Sequence, residues 1–165
     1  SLGIDAEVAS YTDQPELTAR AIAGFERDGG CPVVLIGHSL GADAAIDMAD
    51  ALHQRNVPVA LLVAFSPAHE RHVPANVAEA VNYYQSNSLW NNTYTAGEGF
   101  RGSLQNIDLV ADDGVHHFNI EKNAKLHEAT VAAIETLRKA GCANRWQGTV
   151  KPAAKSRLRK ASGGG

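Results

Sequence analysis

The chain has 165 residues, a length one domain accommodates, and its 44% hydrophobic content suits a protein with a single buried core. A formal net charge of -3 and a pI near 6.1 give no global attraction to nucleic acid or to an anionic membrane. No apolar run approaches the ~20 residues that span a bilayer, and Cys31 and Cys142 are too few and too far apart for a disulfide framework or a zinc site. Both cysteines are expected as unpaired thiols. Taken in chain order, Ile4 to Ser10 alternates apolar and polar residues and predicts a strand near a sheet edge. Thr12 or Asp13 can cap a helix that accepts Pro15 in its first turn, carries Leu17, Ala21, Gly24 and Phe25 at helical spacing, and stops at Gly29-Gly30. Val33-Val34-Leu35-Ile36 is a continuous apolar run bounded by Gly37, which predicts a central strand buried on both faces.

From Leu40 to His53, Ala42, Ala45, Ile46, Ala49 and Leu52 form one helical stripe, and Asp43, Asp47 and Asp50 form another that reads as a solvated face. Val59 to Phe65 and Ala80 to Tyr84 predict two further strands, separated by Pro67 and Pro74. The pattern then dissolves into Asn, Ser, Thr and Gly from Gln85 to Ser103, read as a long loop interrupted by Trp90, Tyr94 and Phe100. Leu104 to Val110 predicts a last strand, Asp112-Asp113-Gly114 a turn, and Leu126, Ala129, Ala133, Ile134 and Leu137 a closing helix that ends near Gly141. This alternation predicts an α/β fold: a mainly parallel sheet of about five strands between flanking helices, in three layers, over residues 1–146. Residues 147–165 are polar, basic and glycine-ended, and are expected to form a disordered tail.

Between the apolar strand and the helix after it stands Gly37-His38-Ser39-Leu40-Gly41, a G-x-S-x-G in the strand-turn-helix context that gives this pattern its meaning. A turn this tight strains the serine backbone, and glycine at 37 and 41 is expected to let strand and helix approach. The hydroxyl then stands at a helix N-terminus, where the Leu40 N–H can donate to a forming oxyanion. The pattern is no phosphate loop, because Ala42 stands where a Walker sequence has lysine. A serine hydroxyl needs a base, and His116 and His117 lie between the last strand and the last helix, within reach of Ser39. His53 and His127 fall on helices, His69 and His72 in a loop, and His69-Glu70-Arg71-His72 has the wrong spacing for a zincin; no metal or cofactor is expected.

In these segments the chain resembles the α/β-hydrolase superfamily, and in particular bacterial lipase- or thioesterase-like serine hydrolases with a GHSLGAD motif and a later HFNI-K segment. Here those are Gly37 to Asp43, and His117-Phe118-Asn119-Ile120 with Lys122. The resemblance implies Ser39 as nucleophile, the Leu40 N–H as one oxyanion donor, His117 as base, and Gly37, His38 and Gly41 as the nucleophile turn. It implies a small-molecule or lipid-like ester or thioester as substrate. The family's acid usually follows one of the two strands after the nucleophile helix, yet those strands end here in Ser66-Pro67 and Gln85-Ser86-Asn87. Glu70, Asp108 and Asp112 are the carboxylates left to orient the histidine, with Asp108 placed first, and Ser66 or Asn87 are neutral candidates. The family's second oxyanion donor follows an early strand, expected to lie before Ser1. Whether the protein is cytoplasmic or exported depends on that missing segment. The rival reading is a catalytically degraded hydrolase fold that serves as a binding module.

Overall fold

The computed structural model describes residues 6–139. The tail expected at 147–165 lies outside the described residues, as do Ile4 and Asp5. Ala6 to Ser10 belongs to no strand. Its alternation offers only small or isolated apolar side chains, and Val8 is 96% exposed, so nothing fixes a strand register there.

Three helices and six strands follow: α1 (Gln14–Arg27), β1 (Val33–His38), α2 (Leu40–Gln54), β2 (Val59–Phe65), β3 (Arg71–Val73), β4 (Glu79–Tyr84), β5 (Tyr94–Ala96), β6 (Ser103–Asp108) and α3 (Ala124–Lys139). The main sheet has the order β1-β2-β4-β6 with every pair parallel, and β3 and β5 form a separate parallel ribbon. The α/β fold with a mainly parallel sheet is therefore as expected, with four strands in the described sheet.

Strand β2 explains the layering. It is buried throughout, and its side chains alternate between two cores: Leu62 and Ala64 point to one, Leu61, Val63 and Phe65 to the other. The first core is filled by Ala42, Ile46, Ala49 and Leu52 of α2, with Leu17 and Phe25 of α1 against it. The second is closed by Leu126 of α3 and by Ile120, with Ile134 and Leu137 packed on the outside. Burial of about ten such large side chains, each contributing ~1.5–3 kcal/mol, is the main force holding helices to both faces.

Three expectations change. Strand β1 pairs only with β2 among the described residues, and Ile36 is 49% exposed, so this apolar run lies at an edge of the described sheet. The crossovers from β2 to β4 and from β4 to β6 carry the β3–β5 ribbon, where helices would ordinarily sit. Cys31 is disulfide-bonded and carries no free thiol; Cys142 lies outside the described residues.

Candidate active site

Ser39 sits between β1 and α2 with φ 53° and ψ −124°, a left-handed conformation that L-residues rarely adopt. Such backbones cost ~1–3 kcal/mol and persist only where the surroundings enforce them. Here the Ser39 N–H donates to the Phe65 carbonyl at 3.0 Å, and the Ser39 carbonyl accepts from Ala42 N–H at 2.9 Å. The Leu40 amide belongs to the first helical turn, whose N–H groups have no acceptor within the helix. The two glycines differ. A Cβ on Gly37 would stand 2.2 Å from the Gly41 carbonyl oxygen, whereas a Cβ on Gly41 would meet nothing within 4 Å. Only Gly37 answers the expected close approach.

His117 lies on the segment after β6, at the far edge of the sheet from β1, and that segment returns across the strand ends. Three side chains hold it, one from each strand end it crosses. Gln85, after β4, donates Nε2–H to the Val115 carbonyl at 2.6 Å; Ser66, after β2, places Oγ 2.7 Å from His117 Nδ1; and His38, at the end of β1, donates Nε2–H to the His117 carbonyl at 2.7 Å. Ser66 is itself at positive φ, 48°, with its N–H bonded to the Tyr83 carbonyl at 2.8 Å. The chain thus brings Ser39, Ser66 and His117 to one end of neighbouring strands. No hydrogen bond joins Ser39 Oγ to His117 here.

The His117 ring is buried, stacked on Trp90 with centroids 4.0 Å apart and planes 15° apart, and nearly perpendicular to Phe118 at 5.0 Å. Burial pushes its pKa below the ordinary histidine value, the His38 ring beside it pushes the same way, and Glu121 pulls back up. His116 is exposed, its N–H bonded to Asn119 Oδ1 at 2.8 Å. The two histidines are thus in opposite environments.

Asp108 does not meet His117. Its carboxylate accepts from the Ser86 and Val110 amides, both at 3.0 Å; hydrogen bonding from Ser86, above all, holds its pKa below the usual carboxylate value. Glu70, Asp112 and Asn87 are exposed and make no hydrogen bond to His117. The group on Nδ1 is Ser66, one of the two neutral candidates. Asp43 departs from the solvated face expected of its stripe: it is buried, accepting from His69 Nδ1 at 2.6 Å and from His69 N–H at 3.3 Å. The reason is tertiary, because the segment after β2 folds over α2, where Arg71 also pairs with Asp47. The stacking of Trp90 on His117 and the anchoring roles of Gln85 and His38 escaped sequence reasoning. An aromatic in an irregular loop and a glutamine after a strand carry no periodic signal, although Gln85 directly follows a predicted strand. Among the described residues no group of three or more His, Cys, Asp or Glu is placed to hold a metal ion.

A serine raised on a strained strand-to-helix turn of a parallel sheet, with a buried imidazole carried over the same strand ends, is the arrangement of an α/β-type hydrolase. The model of the family described as serine hydrolase matches residues 19–149, and the chain belongs to that family. No curated protein and no solved structure matches it.

Proposed function

We propose that this serine hydrolase cleaves a carboxylic ester or thioester through an acyl-enzyme on Ser39, with His117 as base. The observation that carries the reading is the convergence of two distant segments: a strained Ser39 at the edge of the described sheet and a buried His117 brought there from the opposite edge. With the Nδ1 proton donated to Ser66 Oγ, His117 Nε2 keeps a lone pair. It takes the Ser39 proton as Oγ bonds to the substrate carbonyl carbon, and the oxyanion forms near the Leu40 N–H. Collapse of the tetrahedral intermediate breaks the bond to the alcohol or thiol, which leaves with the proton from His117. A water, deprotonated by the same nitrogen, then attacks the acyl carbon; the C–Oγ bond breaks, Ser39 Oγ takes the proton back from His117, and the carboxylic acid is released.

Phe118, 66% exposed and packed edge-on against both Trp90 and His117, together with the exposed Leu40 that follows Ser39 in the chain, supports an apolar acyl or alcohol group. The second reading, a binding module on a degraded hydrolase fold, draws on the neutral Ser66 where a carboxylate is usual. A fluorophosphonate probe separates them. Labelling abolished by Ser39→Ala and strongly slowed by His117→Ala, with His116→Ala little changed, is the expected result. No labelling of the folded protein would favour the binding module, and labelling that persists in Ser39→Ala would end the assignment.

A further inference from the structure

We infer that Trp90 is a positioning residue that stabilises the imidazolium form of His117 through the π face of its indole, taking over the electrostatic task of the carboxylate in a Ser-His-Asp triad. This rests on His117 being the base. When the Ser39 proton reaches Nε2, a full positive charge appears on a ring that is only 6% exposed. Ser66 can accept the Nδ1–H and fix the tautomer, but as a neutral hydroxyl it supplies no opposing charge. Glu121 is the carboxylate that acts on the ring, but its pull is smaller than the opposing effects of burial and of His38, and it stands 3.7 Å from His38 Nε2. Phe118 meets His117 edge-on at 5.0 Å, whereas Trp90 is the ring stacked face to face on it. Its ring centroid is 4.0 Å from that of His117 with the planes only 15° apart, inside the ~6 Å range of a cation over an aromatic face, and indole is the strongest of the aromatic faces. Parallel stacking also limits rotation of the imidazole about its Cβ–Cγ bond, which keeps Nε2 aimed in one direction while Ser66 holds Nδ1.

An indole that merely covered the ring would act oppositely, since apolar cover disfavours the charged form. That difference is measurable. The groups facing His117 that titrate or carry charge are His38 from β1 and Glu121 from the 3-10 turn Ile120–Lys122, and Lys122 and His116 are near in sequence; all stay in place in the variants below. The His117 ring is followed by NMR titration in the full-length protein, alongside the pH dependence of kcat/KM on a small activated ester. Trp90→Leu keeps apolar cover and removes the π face, and is expected to lower the His117 pKa by about half a unit or more. Trp90→Phe should fall between, and kcat should drop more than KM rises. Fluorinated tryptophans placed at position 90 keep the shape and weaken the face, so the pKa should descend with fluorine content even if the leucine variant folds poorly. An unchanged or raised pKa across the fluorinated series would overturn the inference. Failure of the underlying reading shows separately, as fluorophosphonate labelling that survives Ser39→Ala.

Discussion

Gly37 and Gly41 flank the same serine and occupy equivalent places in the motif, but only one is fixed by packing. A methyl on Gly37 would stand 2.2 Å from the backbone oxygen of Gly41, and neither backbone can yield without unmaking the turn. Gly37→Ala is therefore expected to destabilise by about 1–3 kcal/mol and to abolish probe labelling of Ser39. Gly41→Ala meets open space in the first turn of a helix and should instead stabilise by up to ~1 kcal/mol, because alanine loses less backbone entropy than glycine. Urea unfolding of the two variants checks both signs, and equal destabilisation would refute the asymmetry. Ser66 poses a different question, since its hydroxyl was only one of several candidates in the sequence. Ser66→Ala removes the partner of His117 Nδ1 and frees the ring tautomer, so kcat is expected to fall ~10–100-fold with KM nearly constant. A wild-type kcat would show that stacking on Trp90 alone orients the ring.

At the level of elements, periodicity carried the reading a long way where burial alone shapes a segment. The β2 run of seven apolar residues, the α2 stripe and the α3 stripe all fall where the sequence puts them, within a residue or two at most ends. The misses share a cause. The Gln85 to Ser103 stretch, read as a loop, contains β5, and β5 is held by a side chain: Asn106 on β6 accepts from Tyr94 N–H at 2.9 Å, donates to the Tyr94 carbonyl at 2.9 Å, and accepts from Asn82 Nδ2–H at 2.9 Å. β5 pairs with the three-residue β3 on one side and with this polar side chain on the other, and neither leaves an alternation to read. The Asp43 face failed likewise, because the segment that covers it is 26 residues away along the chain. Asn106→Ala should cost about 1–3 kcal/mol, since it removes the partner of the Tyr94 backbone N–H and C=O and one of the two acceptors of Asn82 Nδ2, which keeps the Asn92 carbonyl. Equilibrium unfolding measures it, and a loss below a few tenths of a kcal/mol would mean that the ribbon is held by apolar packing alone.

Across the whole molecule, the parallel sheet sets the distance between the two halves of the proposed chemistry, and its pH response follows from where His117 ends up. The ring is carried from the β6 side over the strand ends and buried beside His38, so two influences, desolvation first and the neighbouring imidazole second, push its pKa below the unfolded value of about 6.5. The sign is then set. Between the two pKa values the unfolded chain binds the proton and the folded one does not, so this residue lowers stability as pH falls through 6.5 and its penalty is complete below the folded pKa. With His117 as the proposed base, the same shift is an advantage, because the imidazole stays neutral at lower pH. The acidic limb of kcat/KM is expected to have its midpoint below that of an ordinary histidine. His38→Gln provides the decisive comparison: the amide can still donate to the His117 carbonyl, which His38 holds at 2.7 Å, but the ring that opposes protonation of His117 is gone. The limb should move up toward 6.5 while the Ser39 labelling site is unchanged. A limb that stays put or moves down in this variant would show that burial alone sets the base, and that His38 contributes only the anchor.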